Sequence, residues 1–525
     1  MIRHHELQLT ADVLVIGGGP AGAWAALTAR ARGAERVVLV DKGYCGTSGA
    51  TASANTGVWY VAPEGDAREH AIQKRLQLSE GLGRRETMEH VLETTWQQIA
   101  QLAAWGFPFP EQDDGVQFRA NLRGPDYMAF MRKLIKRAGV TVLDHSPALE
   151  LLVSETGVAG ARGHRLQSDE AYSVSARAVV VASGGVAYLS KTLGCDVNTG
   201  DGLLMAAEAG AELSGMEFSS QYGICPAYSS VTKGLPYFWA TFSDASGRVI
   251  HKGGLWQLTV AEALLEGPVF AVLDRAPPHV QRWLRTGQPN CFLPHDRIGI
   301  DPFRERFPVT LRSEGTVRGT GGIRIYDRSG STGVPGLYAA GDAASRETLV
   351  GAATGGGAPN AAWAISSGTS SGGAAADFAR QSLPQTRAAS AAGAAGLRPR
   401  RTAAHVDAET LIQRAQGEAL PIDKNLFRSA DRMRASLVQL DAAWEVARDR
   451  LAARGRAAVR AREAAALLAC ARLGYRSALA RVETRGLHRR LDAPGLDPTQ
   501  AHSLAVVGLD EIEVRPYRYI EGSQA

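Results

Sequence analysis

Three glycines, Gly17, Gly19 and Gly22, stand in the order G-x-G-x-x-G within ADVLVIGGGPAG, and an acid, Asp41, closes the next apolar run. This spacing serves the binding of a dinucleotide. The first glycine permits a tight turn, the second lets backbone approach a pyrophosphate, and the third lets a helix pack closely on the strand before it. Pro20 and Ala21 open that helix, whose N-terminus offers unpaired N–H groups to phosphate. Asp41, followed by Lys42, is placed to accept hydrogen bonds from ribose hydroxyls. A lone glycine pattern is weak evidence, so the elements around it matter. Val13 to Ile16 form a β-branched run suited to a buried parallel strand, and Arg36 to Val40 supply the next strand.

The rest of the chain supports that frame. Its 525 residues, 45% hydrophobic, suffice for about three domains of 100 to 200 residues. No apolar run approaches the ~20 residues that span a bilayer, and Met1 to Thr10 is too polar for a secretory signal, which points to the cytoplasm. Five scattered cysteines without a C-x-x-C pair indicate no disulfide framework, zinc site or iron–sulfur site. A net charge of +5 is mild, and the arginines between Arg398 and Arg490 read as solvated helix faces rather than as a nucleic-acid surface. Met88, Val91, Leu92, Thr95, Ile99 and Leu102 recur at helical spacing as core. Ala178 to Ala182 form another buried strand that runs into Ser183, Gly184 and Gly185, where backbone must pass close to something. From about Cys225 to Arg318 a proline-punctuated pattern reads as an inserted domain. GLYAAGD at Gly336 to Asp342 then restores the strand-and-glycine signature. Ser366 to Arg401, rich in Ala, Ser and Gly, reads as including a flexible linker. Leu426 to Leu451 and Arg460 to Ala480 carry amphipathic helices.

Several spaced motifs together resemble the flavoprotein subunits of fumarate reductase, succinate dehydrogenase, L-aspartate oxidase and adenylylsulfate reductase. These are GGGPAG with Asp41; Thr199 to Gly202 with Ala209, Gly210 and Met216 to Phe218; Gly321 to Ile323 with VPGLYAAGD; and RVETRGLHRRLDAP at Arg481 to Pro494. The resemblance covers most of the chain. It implies an α/β fold with a Rossmann-like FAD-binding domain (residues 1–224 and 319–382), an inserted α+β capping domain (225–318), a linker (383–401) and a C-terminal helical domain with tail (402–525). It also implies FAD contacts at Ala182, Ser183, Gly184, Asp201, Gly341 and Asp342, with Asp342 on the ribityl chain. The small residues from Ser48 through Gly49 and Ala50 to Ala54 would let backbone pass beside the isoalloxazine. Gly49 stands where the covalently flavinylated members have histidine, so the resemblance implies dissociable FAD. Arg481, Glu483, Arg485, His488 and Arg490 are expected to join the helical domain to the flavin domain.

The same resemblance exposes departures on the substrate side. Where the dicarboxylate enzymes carry substrate-binding His-Pro-Thr, this chain has Tyr222, Gly223 and Ile224. Gln257 stands nearest the position of their catalytic arginine, Val317 near that of a histidine, and Thr354 near that of a carboxylate-clamping arginine. A charge-assisted hydrogen bond contributes roughly 1.5 to 3 kcal/mol, so losing several predicts a substrate other than succinate, fumarate or aspartate. Tyr222, Arg318, Arg346 and His251 are the catalytic candidates, with Tyr222 as donor or general acid and the arginines as anion binders or proton relays. Tyr237 and Trp239 read as core aromatics. The expected function is an FAD-dependent oxidoreductase that moves a hydride or electron pair to or from a small molecule. One alternative is an adenylylsulfate-reductase-like subunit working with a ferredoxin-like iron–sulfur partner, and another is a flavin-holding subunit without turnover.

Overall fold

The computed structural model describes residues 6–112, 114–251, 256–354, 356–382, 389–401 and 406–519. Its central sheet is built from the β-branched runs. Strand β1 (Leu7–Ile16) leads through the turn Gly17–Gly19 into helix α1 (Pro20–Ala31), and β2 (Val37–Val40) follows. Val13 to Ile16 and all of β2 are buried, as strands covered on both faces must be. β1 pairs in parallel with β2 on one side and with β3 (Glu170–Val181) on the other. β3 is long enough to serve two neighbours along its far edge. Glu170 to Ser175 pair antiparallel with the strand Gly157–Arg165, and Val179 to Val181 pair in parallel with β4 (Leu337–Ala339). The GLYAAGD strand therefore rejoins the first nucleotide-binding unit across more than a hundred intervening residues.

Those intervening residues include a separate unit. An antiparallel sheet runs in the order Tyr222–Pro226, Phe307–Ser313, Val269–Val272, Thr241–Ser243, Val249–Ile250. It closes over its own core, including Ile224, Phe242, Leu273, Phe292 and Phe307. Tyr222, expected within the flavin domain (1–224), is thus the first residue of the cap sheet. The C-terminal part holds helices Ala408–Ala419 and Ala430–Asp449 and a 25-residue helix, Arg456–Ala480. The segment expected to be a tail forms the hairpin Ser503–Val507 and Glu513–Tyr517, which pairs back onto Leu213–Ser214. Among the described residues no helix is long and apolar enough to cross a membrane.

The first part of the Ala, Ser and Gly-rich stretch, Ser366 to Gln381, belongs to helix α2 (Gly357–Gln381), which packs along α1. Of the narrower linker span, 383–388 lies outside the described residues, and Ser390–Ala391 adds a short edge strand to the main sheet. The reason for α2 is close approach rather than apolar bulk. Gly368 and Gly372 share one face, and a Cβ on them would come within 2.3 Å of the Ala21 carbonyl oxygen and 2.2 Å of the Ala25 carbonyl oxygen. Small residues four apart let the two helix backbones touch. Gly372→Ala is therefore expected to destabilise the fold by about 1–3 kcal/mol. At Gly373 an added Cβ meets only ordinary contacts at 3.6 Å or more, so Gly373→Ala should be neutral or stabilising by up to about 1 kcal/mol. Denaturant unfolding of both variants checks the contrast, and equal effects would contradict it.

Candidate active site

A cavity of about 520 Å³ lies where β1, β3 and β4 end and the cap begins, a volume typical of small-molecule sites. Its wall at one end is the glycine turn. Gly17 is left-handed at φ +108°, and a Cβ on Gly22 would strike the Gly17 carbonyl oxygen at 1.9 Å, so α1 starts as close to the turn as backbone permits. No acidic residue and no side-chain cap occupies the first turn of α1, whose N-terminus keeps its affinity for an anion. Gly17, Gly19, Pro20 and Ala21 line the cavity, while Gly22 lies behind them as the packing glycine.

Asp41 also lines the cavity, and it braces the loop as well as facing the expected ribose. Its Oδ2 accepts from the Gly18 N–H at 2.5 Å, and its Oδ1 accepts from the Gly43 N–H and the Ser48 hydroxyl, both at 2.8 Å. Lys42 is held by Asp201 at 2.8 Å and by Glu463 of the C-terminal helix at 2.6 Å. Burial works against its charge, but the two carboxylates outweigh it and hold the ammonium above the usual lysine range. Ser48, Gly49, Ala50, Ala182, Ser183, Gly184, Asp201, Gly341 and Asp342 complete this part of the wall.

Asp342 depends on Arg346. Burial pushes its carboxyl up, while Arg346, at 2.5 Å from Oδ1, and Arg318 pull it down. Arg346 was expected as a possible anion binder or proton relay; instead it is fully buried and committed to the protein. Its guanidinium also donates to the carbonyls of Thr316, Val317 and Gly319, tying down the short turn that carries Arg318. Arg346→Met is expected to lower FAD retention about 10- to 100-fold, the range for one charge-assisted hydrogen bond. Flavin fluorescence released on dilution measures this, and unchanged retention would show that Asp342 does not need the arginine.

At the other end, cap and flavin domain meet. Asn55 Nδ2 donates to the Gly287 carbonyl at 2.7 Å, and Asn290 Nδ2 donates to the Ser53 carbonyl at 3.2 Å. Lys233 Nζ donates to the Asn55 carbonyl at 3.4 Å. Beside it, Arg318 pairs with Glu314 Oε1 at 3.1 Å, and the same oxygen accepts from the Thr232 hydroxyl at 2.6 Å. Burial and the neighbouring Arg318 bring the Lys233 ammonium down to about 8. Lys233 and Glu314 were missed in the sequence, where VTKG and SEG carry no spacing signal.

Two further candidates are corrected. Tyr222 faces away from the cavity, and its hydroxyl donates to the carbonyls of Leu420 at 3.0 Å and Ala419 at 3.3 Å. It pins the cap to the C-terminal domain. His251 sits exposed just after the edge strand Val249–Ile250, outside the cavity wall. Gln257 is exposed as well, Val317 is a buried apolar wall residue, and the Thr354 hydroxyl donates to the Arg318 carbonyl. Tyr237 is in the cap core beside Phe242, and Trp239 packs edge-on against Trp283.

The cavity wall suits a polar, extended cofactor and its substrate. Asn55 Oδ1, Ser183 Oγ, Asn198 Oδ1, Asp201 Oδ1, Glu314 Oε2 and Asn360 Oδ1 are buried there without a hydrogen-bond partner among the described residues. Buried polar atoms left unsatisfied cost about 1–3 kcal/mol each, which a ligand rich in hydroxyl and amide groups repays.

Comparison with known proteins agrees with this geometry. Residues 12–220 match the FAD binding domain, and residues 417–519 match the fumarate reductase flavoprotein C-term. L-aspartate oxidase of Streptomyces coelicolor is 27% identical over 96% of this chain and 92% of its own length. L-aspartate oxidase of Mycobacterium tuberculosis is 28% identical over 95% of this chain and 96% of its own. Among solved structures, a variant of E. coli quinol fumarate reductase superposes with a TM-score of 0.82 at 20% identity, covering 99% of this chain and 98% of that one. Adenylylsulfate reductase of Archaeoglobus fulgidus gives 0.76 at 18% identity, covering 100% and 99%.

Proposed function

We propose, from the premise that this chain is an FAD-dependent oxidoreductase of the fumarate reductase and succinate dehydrogenase flavoprotein family, that it exchanges a hydride between dissociable FAD and a small molecule other than succinate, fumarate or L-aspartate. The observation that carries this reading is the shared cavity. One end is a dinucleotide loop, and the other is closed by cap residues that hold a lysine, an arginine and a carboxylate together.

When bound, FAD supplies two-electron chemistry by taking or returning a hydride. The protein's part is to hold and enclose. Gly17 to Gly22 and the α1 N-terminus would carry the diphosphate, Asp41 the ribose, and Asp342 the ribityl chain. The hydrogen bonds from Asn55 to Gly287 and from Asn290 to Ser53 hold the cap down and keep water from the reacting atoms.

The substrate reading rests on the wall chemistry. At the positions where the dicarboxylate enzymes hold their substrates, Tyr222 and Gln257 do not line the cavity and Val317 is apolar. A dicarboxylate would forgo several charge-assisted contacts there. The activity named for the L-aspartate oxidase relatives supports the reaction class, and the altered wall favours a different substrate.

The test is anaerobic titration of the FAD-loaded protein with a panel of amino, hydroxy and dicarboxylic acids, following the yellow flavin absorbance. Bleaching by a compound outside the dicarboxylates, with succinate and L-aspartate inert, is expected. Rapid bleaching by L-aspartate or succinate would overturn the substrate reading, and failure to hold FAD would overturn the whole proposal.

A further inference from the structure

We infer that Lys233 and Arg318 form an anion subsite at the cap end of the cavity, and that Lys233 is the catalytic residue exchanging the substrate's proton. The inference rests on the proposed function and deepens it. Lys233 comes from the loop after the first cap strand, lies on the cavity wall, and reaches across to the Asn55 carbonyl of the opposite domain. Among the described residues it donates to a backbone carbonyl and to no carboxylate. Lys42, the other lysine on this wall, is by contrast locked between Asp201 and Glu463.

Chain composition sharpens the point. Only eight of the 58 basic residues are lysine, so arginine is the usual choice here. Arginine cannot give up its proton in a protein, whereas a buried lysine can. The groups acting on Lys233 are Arg318, Cys291, Glu314 and Cys195. Arg318 opposes its charge, Glu314 is already paired to Arg318, and the two thiols are themselves held neutral by burial, at about 11 and about 12. Lys233 therefore sits near the midpoint of its titration at mildly alkaline pH, where an acid–base group is most effective. Arg318 lines the cavity with Lys233, so a substrate bearing one anionic group fits.

The proton step balances without any further reagent. As the substrate is oxidised by two electrons, one of its C–H bonds breaks to release a hydride and its O–H, N–H or adjacent C–H bond breaks to release a proton. The proton joins the lone pair of the Lys233 amine to give an ammonium, and the hydride is accounted for by the flavin. In the reducing direction the ammonium returns that proton to the substrate.

Amine acylation of the FAD-loaded full chain, read peptide by peptide by mass spectrometry from pH 6 to 11, tests the assignment without turnover. Lys233 should reach half-maximal labelling near pH 8, well below the exposed Lys191, and inorganic sulfate should slow its labelling at least tenfold. The sulfate protection should be lost in Arg318→Met. Labelling of Lys233 at ordinary lysine pH, no labelling at all, or no effect of sulfate would each overturn the inference. Inorganic sulfate should also perturb the flavin spectrum, and Lys233→Arg, which keeps the charge, should retain that perturbation. Its flavin reduction by whichever panel compound is active should slow by 100-fold or more. If FAD binds and is reduced normally in Lys233→Arg, this inference fails while the proposed function stands.

Discussion

Gly22→Ala is expected to yield a colourless protein. A Cβ at that position would sit 1.9 Å from the Gly17 carbonyl oxygen and 3.3 Å from Val15 Cγ1, so either the turn or α1 must move. The turn cannot yield toward β3. Gly17 is held at φ +108° with its own Cβ direction blocked by the Ala182 carbonyl oxygen at 2.3 Å. Displacing a boxed turn of this kind costs on the order of 3 kcal/mol, which corresponds to at least about a 100-fold loss of FAD affinity. Gly19→Ala provides the contrast. It has φ −70°, and an added Cβ meets nothing within 4 Å, so the apoprotein should fold with unchanged stability. FAD retention should nevertheless fall, because the methyl group occupies space on the face that receives the diphosphate. Flavin content after purification and apoprotein melting temperature separate the two cases. A yellow Gly22→Ala protein with normal FAD affinity would show that this turn is not the cofactor cradle.

Arg481→Met is expected to have the largest effect on the folded state itself. The guanidinium lies wholly buried between Glu217 of the MEF segment, at 2.8 Å, and Glu483, at 3.0 Å, and it also donates to the carbonyls of Gln500 and His502. Ser477 donates to the other Glu217 oxygen at 2.6 Å, and Arg485 donates to both oxygens of Glu483. His488 is kept neutral, burial first and the nearby Arg428 next driving its pKa well down. It accepts from Arg428 at Nδ1, which leaves Nε2–H to donate to the Arg481 carbonyl. Removing the guanidinium strands the buried Glu217 carboxylate, while Glu483 keeps Arg485, and breaking such a pair costs about 3–5 kcal/mol. The double variant Glu217→Gln with Arg481→Met should recover part of that loss, since the stranded charge is gone. Thermal unfolding reads both, and a loss below about 1 kcal/mol in the single variant would contradict the structural role of this cluster.

How much of this was legible in the chain depended on whether a residue's job has a local signature. The dinucleotide loop could be read because β-branched burial, glycine spacing and a terminal acid all lie within some thirty residues. The RVETRG cluster could be read as a joint because its motif resembles the family's C-terminal signature. Helix α2 was hidden by composition, since Ala, Ser and Gly also make linkers. The four-residue recurrence of Gly368 and Gly372 was the signal for helix contact. Arg346 was misjudged because capping carbonyls leaves no motif. Lys233 carried no signal at all, since its environment is made by Asn55, 178 residues earlier in the chain, and by Arg318 and Glu314 across the cap. Tyr222 was displaced from the site because its strand belongs to the cap sheet, which points the hydroxyl at the C-terminal domain.

The most direct measurement is a crystal structure of the FAD-loaded protein. The expected result is one FAD with its diphosphate against Gly17 to Gly22 and its ring system toward the cap wall that bears Lys233 and Arg318. A flavin bound elsewhere with this cavity left to solvent, or a pure, folded protein that takes up no flavin, would contradict the assignment.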